Sequence, residues 1–391
     1  MDPTNLSLRD ALDERASLVR DSATSLLKGE WSTARFRKLI DSGDGYDPAL
    51  WAQMGSLGWP GLMAPEEDGG SGATVSELVA IAEECGRAIA PSPLIAHIVA
   101  GELVRAAPPK LRAGLNDAVT GGAQPLTLAV LERELGRDRA KVSLAATSEG
   151  QAWVLRGEKL FVTAARHAST IIVAARTDRA GVALFAVPRS AAGVDVKPMK
   201  PLDWSAVDAV TFTDVHVPGD ALIAEGADAE RLLREALLLS DLLIVAELCG
   251  LAESALDLAV EYAKVRETFG KVIGQYQAIK HRLVNMRADI EIAKSLVRAA
   301  TASVASDDPD KQVHVSRAAY WAIDSLKKVP ESCIQVFGGI GFTWDHDIHL
   351  FLRRSATLAS LLGDRSEHRE VIVNALDMQT SGAGERAEAA A

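Results

Sequence analysis

Hydrophobic positions follow a helical spacing at both ends of the chain and form short runs in its middle. Across residues 7–116, apolar side chains such as Leu78, Ile81 and Ala82 recur three and four residues apart, with glycine and proline at the breaks. Across residues 126–224, short β-branched or alternating runs are separated by Gly, Pro, Asp and Ser. The pattern predicts a helical unit followed by a small β domain.

Long helical patterns return after Gly226. They span residues 229–265, 275–306, 311–337 and 349–378, each with apolar residues three and four apart. Four such helices predict a bundle, and the polar, alanine-rich end of the chain has little to bury. The predicted fold class is therefore α+β, in four parts: a helical domain (1–124), a β domain (125–224), a helical bundle (225–378) and a disordered tail (379–391).

Composition and charge limit the class of protein to which this chain can belong. The chain has 391 residues, 48% of them hydrophobic and 24% charged, which is enough for a buried core in two or three domains. A net charge of −11 without a basic stripe argues against a nucleic-acid partner. Because we find neither an apolar run of membrane-span length nor a cationic leader, we expect a cytoplasmic protein without membrane insertion.

The sequence offers little for metal binding. Cys85, Cys249 and Cys333 are scattered without metal-ligand spacing, and they do not suggest a disulfide framework. His346 and His349 stand close together between acidic residues, but no cysteine or distant carboxylate completes a ligand set. We expect no metal.

Two motifs point to a nucleotide-containing cofactor. Glycines 338, 339 and 341, within Cys333–Arg354 (CIQVFGGIGFTWDHDIHLFLRR), have no Cβ, so the backbone there can approach a phosphate or ribose closely. The second motif, Tyr262–His281 (YAKVRETFGKVIGQYQAIKH), contains Arg266 at the end of a helical run. A guanidinium can pair bidentately with a pyrophosphate.

The two motifs together resemble the acyl-CoA dehydrogenase family, tetrameric flavoproteins that oxidise the Cα–Cβ bond of acyl-CoA thioesters. The order helical, β, helical also matches that family's fold. The resemblance implies FAD bound across a subunit boundary, with one chain contacting the diphosphate and adenosine of its neighbour's FAD. The residues that match those positions are Arg266, Thr268, Phe269, Tyr276, Gln277, Gln335, Val336, Gly338 and Gly339.

The flavin loops of the β domain match the family unequally. The first typically reads Thr-Glu-Pro-Gly-Ala-Gly-Ser-Asp, whereas this chain has Leu131 for the threonine and Arg137 for the serine. We interpret this as a damaged pocket. The second loop, Lys159–Ala165, is better kept: the resemblance implies that Phe161 stacks on the flavin and that Thr163 bonds its N5. The alternative is an ordinary buried strand with Phe161 in the core.

The catalytic base of the family is missing. Most members carry a glutamate 23 residues after the second glycine of the pair, where this chain has Leu362. A smaller group carries it 26 residues before the arginine, where this chain has Ser240. Asp241 and Asp364 are weak substitutes, because one helical step turns Asp241 by about 100° and Asp364 is placed to cap a helix.

The chain keeps the intersubunit motifs and lacks the catalytic ones. In this it resembles the non-catalytic, β-type subunits of actinobacterial heterotetrameric acyl-CoA dehydrogenases, which take part in steroid and cholesterol side-chain degradation. There, two related chains form an α2β2 tetramer, and one of them completes its partner's FAD site. We therefore predict such a subunit, partnered with a catalytic homologue and acting on a bulky acyl-CoA. Two alternatives remain open: a self-sufficient homotetrameric dehydrogenase or oxidase with Asp241 or Asp364 as a shifted base, and a non-enzymatic scaffold of the same fold.

Overall fold

The computed structural model describes the backbone of residues 3–133 and 141–388 and the side chains of residues 14–133 and 141–376. Its N-terminal unit is helical, with α1 (Pro3–Glu30), α2 (Thr33–Ser42), α3 (Pro48–Ser56), α4 (Val75–Arg87), α5 (Leu94–Arg105) and α6 (Pro109–Thr120). Local chemistry sets several helix starts. Thr74 and Glu77 form a capping box before α4, and proline begins α3 and α6.

The middle of the chain forms one twisted sheet. Its strands are β1 (Leu126–Ala129), β2 (Ala145–Glu149), β3 (Ala152–Thr163), β4 (Thr170–Thr177), β5 (Gly181–Pro188), β6 (Val194–Pro198), β7 (Val207–Pro218) and β8 (Leu222–Glu225). They lie in the order β6-β7-β3-β2-β4-β5-β8, and β1 pairs in parallel with β4. Alternate residues of β4 point to opposite faces of the sheet. Ile171 and Val173 pack in a core formed by the β domain alone, whereas Ile172 packs in the core that the sheet shares with the helices.

The C-terminal unit is again helical. It contains α7 (Ala227–Val265), a short hairpin of β9 (Glu267–Thr268) and β10 (Lys271–Val272), α8 (Gln277–Ala305), α9 (Lys311–Trp321), a π-helical turn (Ala322–Leu326), α10 (Lys328–Phe337), α11 (Ile348–Leu361) and α12 (Arg365–Glu388). The predicted α+β class, with helices on either side of a β domain in sequence, is confirmed.

The helices of the last unit differ from the prediction in two places. The helix predicted over 349–378 is divided, because Gly363 adopts a left-handed conformation (φ +83°) after α11. The helix α12 then continues to Glu388, through much of the segment predicted to be disordered, since alanine, glutamate and arginine there are good helix formers.

Two glycines let α4 and α7 cross with their backbones in contact. A Cβ on Gly86 would lie 1.9 Å from the carbonyl oxygen of Glu247, and one on Gly250 would lie 1.9 Å from that of Glu83. Neither helix could approach so closely with a larger residue at the crossing. The crossing holds the middle of α7 against the N-terminal unit.

No helix among the described residues combines the length and the apolar character needed to cross a membrane.

Candidate functional site

A cavity of about 130 Å³, partly open to solvent, lies where the sheet meets both helical units. Most of its lining is apolar. Its lining includes residues from the segment after β1 (Leu131), from β3 (Phe161, Thr163), from α7 (Ser240, Ile244, Glu247) and from α11 (Arg354, Leu358, Leu361). The cavity therefore contains the second flavin loop and one of the two positions at which the family places its base.

The second flavin loop faces the cavity with unusual backbone geometry. Phe161 has φ +55° at a bulge between β3 and β7, and its side chain is 43% exposed. It is therefore not a core residue, in contrast to the alternative of an ordinary buried strand. Ala164 also has a positive φ, and its N–H donates to the carbonyl of Ala206 at 2.8 Å. Thr163 is held by β1, because Thr127 donates to its carbonyl oxygen at 2.7 Å.

The first flavin loop is described only in part. Leu131 lines the cavity, so the hydroxyl that the family has there is replaced by an apolar wall. Arg137, the other substitution in this loop, lies outside the described residues.

Glu132, next to Leu131, anchors the start of that loop. It accepts a hydrogen bond from Nζ of the buried Lys159 at 2.6 Å and others from Ser143 and from the N–H of Leu144. Burial would raise the pKa of Glu132, but the bonds from Lys159 and Ser143 outweigh it and hold that pKa at about 2. Burial lowers the pKa of Lys159 to about 8, against the opposing effect of Glu132.

Neither of the family's base positions carries a carboxylate that faces the cavity. Ser240 lines it, whereas Leu362 is fully buried at the end of α11 and its neighbour Leu361 faces the cavity instead. Asp241 lies in a separate groove beside Arg231, Arg234 and Lys311. Asp364 accepts the N–H of Ser366 at 2.6 Å, as a residue capping α12 would. The structure thus does not bring either aspartate to the cavity.

A buried ionic cluster that sequence reasoning missed lies against the cavity, which two of its three members, Glu247 and Arg354, line. Arg354 on α11 donates through Nε and Nη2 to Oε1 of Glu247 on α7, at 3.0 and 2.5 Å. It also donates through Nη1 to Oδ2 of Asp203, which precedes β7, at 2.8 Å. All three side chains are at least nine-tenths buried. Glu247 lies seven residues after Ser240, on the same face of α7, which is the signal that could have pointed to it.

Burial and the neighbouring charges shift the pKa values of Glu247 and Arg354. It raises the pKa of the Glu247 carboxyl, although the Arg354 guanidinium acts in the opposite direction. Burial alone would lower the pKa of Arg354, but the charges of Glu247 and Asp203 raise it above its ordinary value. The cluster has one cation for two carboxyl groups.

The Arg-Thr-Phe motif forms the hairpin β9–β10 and points away from the cavity. Phe269 and Gly270 make its two-residue turn, with φ values of +54° and +80°. Phe269 is 94% exposed, although a positive φ strains a phenylalanine. Tyr276 supports the hairpin by donating its hydroxyl to the carbonyl of Thr268 at 2.9 Å. Arg266 and Gln277 are also exposed.

The glycine motif lies next to this hairpin in space. The ring of Tyr262, one turn before Arg266, is 4.4 Å from the ring of Phe337, which immediately precedes Gly338. Gly338 adopts φ +66°, and a Cβ on Gly338 or on Gly339 would meet no atom within 4 Å. The backbone of this turn therefore faces open space.

The remaining residues predicted for the glycine motif differ in exposure. Gln335 is exposed on the same surface, but Val336 is 5% exposed and packs in the core. Its side chain is therefore not available to a ligand. Nearby, Asp347 pairs with Arg37 at 2.6 Å, and the ring of His346 packs on Phe337 at 4.1 Å. No group of three potential metal ligands occurs within the described residues.

Comparisons with known proteins agree with this architecture. Three family profiles match in order: "Acyl-CoA dehydrogenase, N-terminal domain" over residues 13–115, "middle domain" over 127–215 and "C-terminal domain" over 218–376. The acyl-CoA dehydrogenase FadE34 of Mycobacterium tuberculosis is 31% identical over 373 residues. That match covers 91% of this chain but only 47% of FadE34, so the chain spans about half the length of that relative.

Solved structures are similar over nearly the whole chain. The ChsE4-ChsE5 complex from Mycobacterium tuberculosis matches with a TM-score of 0.85 and 26% identity, over 93% of this chain and 97% of that chain. A variant of the Tcur3481-Tcur3483 steroid ACAD matches with a TM-score of 0.86 and 25% identity, over 95% and 99%. With all three domain profiles matched in order, this chain belongs to the acyl-CoA dehydrogenase family.

Proposed function

We propose that this chain is a subunit of an FAD-dependent acyl-CoA dehydrogenase that acts on a bulky acyl-CoA, and that it completes the FAD site of a catalytic homologue in an α2β2 assembly. In this arrangement the partner provides the base that removes the Cα proton. FAD, when bound, supplies the acceptor for the hydride from Cβ. This chain provides groups that hold the adenosine and diphosphate half of the cofactor.

The observation that carries the proposal is the outward position of the cofactor motifs. Phe269 is almost fully exposed in a strained conformation, an arrangement that gains nothing from contacts within the chain. The Arg266 guanidinium is exposed and makes no ion pair with the part of the chain that the structure describes. These groups and the open turn at Gly338 suit the phosphates and adenosine of a cofactor held mainly by another chain.

The composition of the cavity also supports a non-catalytic role. Among the described residues that line it, Glu247 has the only carboxylate. Glu247 is held by Arg354 and lies two helical turns, about 10 Å along the axis, from Ser240. A base must reach the proton it removes, and a carboxylate displaced by that distance does not occupy the position of the family's base.

The residues of this chain suit the adenosine and diphosphate half of FAD better than its ring half. Arg266, Gln277, Gln335 and the backbone at Gly338 and Gly339 offer exposed donors for the adenosine and diphosphate half. In the cavity, Thr163 and Phe161 remain for the ring half, but Leu131 offers no hydroxyl. This difference supports a chain that contributes more to its partner's cofactor than to one of its own. Two of the similar structures are named for two chains each, and one of those names includes the word steroid.

Flavin stoichiometry tests the proposal. The chain is expressed alone and with a catalytic homologue, and the flavin-to-chain ratio is measured by absorbance after purification. We expect little flavin in the chain alone and about one flavin per pair of chains in the complex. Arg266→Ala should lower flavin retention in the complex, whereas Arg112→Ala, an exposed arginine on α6, should not. One flavin per chain in a homotetramer that oxidises acyl-CoA would overturn the proposal, and so would a complex that never bleaches with acyl-CoA.

A further inference from the structure

The charged end of the cavity is the feature that the proposed function does not use. Glu247 and Arg354 line an otherwise mainly apolar cavity, and Glu247 also lines a smaller one of about 20 Å³ among residues of α4 and α5. Residues of the second flavin loop do not line that smaller cavity. The ionic cluster therefore lies at the end of the main cavity next to the N-terminal helices.

The hydrogen bonds of the cluster are incomplete on the side of Glu247. Both bonds from Arg354 go to Oε1, and within the described residues no donor reaches Oε2. Both oxygens of Asp203 accept hydrogen bonds, because Oδ1 accepts from the N–H and the hydroxyl of Ser205, at 3.2 and 2.8 Å. Arg354 uses three of its five N–H groups, so two remain. Since Glu247 and Arg354 line the cavity, this oxygen and these N–H groups can form hydrogen bonds with a ligand there.

A ligand that completes these bonds must match the cluster in charge and in hydrogen bonding. With two carboxyl groups against one guanidinium, the cluster disfavours an anion and favours a donor. A hydroxyl is both donor and acceptor, so one group can donate to Oε2 of Glu247 and accept from a free N–H of Arg354. A ketone offers only the acceptor, and a methyl group offers neither.

We propose that this cavity binds acyl-CoA molecules whose acyl group carries a hydroxyl near its far end, and that Glu247 and Arg354 recognise this hydroxyl. The inference rests on the acyl-CoA class of the proposed function and not on the shared FAD site. Ile244 and Leu358 supply apolar walls for the hydrocarbon part. Without a base in the cavity, the ligand is bound and not oxidised.

Calorimetric titration of the purified chain tests this with three thioesters of equal carbon skeleton: pentanoyl-CoA, 4-hydroxypentanoyl-CoA and 4-oxopentanoyl-CoA. We expect the hydroxy compound to bind at least about tenfold more tightly than the other two, because a buried hydrogen bond to a charged group is gained. Glu247→Gln should reduce this preference to less than about threefold. This substitution leaves Arg354 paired one to one with Asp203, so the fold should survive, and thermal unfolding of the variant verifies it.

Glu253→Gln is the matched control. It removes another carboxylate of α7, paired with Arg87 and Lys294 away from the cavity, and should leave the preference intact. Equal binding of the three thioesters, or binding of the oxo compound as tight as that of the hydroxy compound, would overturn the recognition of a hydroxyl. If none of the three binds, the inference also fails, and the acyl-CoA class of this cavity fails with it. None of these outcomes depends on flavin content or on a partner chain.

Discussion

The buried cluster of Arg354, Glu247 and Asp203 joins three parts of the chain through single side chains. Asp203 belongs to the β domain, Glu247 to α7 and Arg354 to α11. Such a cluster is not in itself evidence of stability, because the cost of removing three charges from water can equal the attraction between them. Removing only the cation, however, leaves two carboxylates buried without a counter-charge.

We therefore expect Arg354→Met to lower the free energy of unfolding by about 3–5 kcal/mol at neutral pH. Burial already raises the pKa of Glu247 above its ordinary value of 4.5, and loss of the cation raises it further. A carboxyl whose pKa is raised on folding favours the folded state below about pH 4.5 and loses that effect as the pH rises. The destabilisation should therefore be larger at pH 7.5 than at pH 4.5.

Urea unfolding at the two pH values measures this difference. Arg287→Met serves as the control, because Arg287 pairs with Glu253 at the surface and keeps 44% of its side chain exposed. Its effect should stay within about 1 kcal/mol. An Arg354→Met variant whose destabilisation is the same at both pH values would contradict the electrostatic explanation.

At the scale of the elements, the crossing of α4 and α7 positions the cavity. Gly86 and Gly250 allow each helix to contact a carbonyl oxygen of the other, one of which belongs to Glu247. The side chain of Glu247 is thereby fixed relative to the N-terminal helices. The break between α11 and α12 has a similar role, because it ends α11 with Leu361 facing the cavity and Leu362 in the core.

Gly250→Ala should destabilise the protein by about 3 kcal/mol, towards the upper end of the range for overpacking, because the new methyl group meets a backbone carbonyl that cannot rotate away. Gly114→Ala is the matched control. Gly114 lies in α6 with no atom within 4 Å of an added Cβ, so alanine should be neutral or stabilising by up to about 1 kcal/mol. Denaturant unfolding measures both, and equal effects would show that the crossing is not close-packed.

At the scale of the whole molecule, several large apolar side chains within the two cofactor motifs are exposed. They are Val265, Phe269, Ile340, Phe342 and Trp344, each at least 41% exposed. Large exposed apolar side chains clustered in this way mark interaction surfaces in proteins. The proposed assembly would cover them.

Phe269→Ala should therefore weaken association with the partner chain without unfolding the subunit. Light scattering coupled to size-exclusion chromatography, over a dilution series of the complex, measures the shift towards smaller species. Leu18→Ala removes a side chain on α1 that is 65% exposed, and should leave association unchanged. If both variants assemble as the unsubstituted chain does, the hairpin is not at the interface.

The sequence alone determined the order of helices and strands, because hydrophobic periodicity is local and each element is a continuous stretch. It also determined that leucine and serine replace the glutamates of the family. Only the tertiary structure decided which carboxylate enters the cavity. Glu247 and Arg354 lie 107 residues apart, and Asp203 and Arg354 lie 151 apart. No local pattern encodes such a meeting, since it depends on how closely α4, α7 and α11 pack against the sheet.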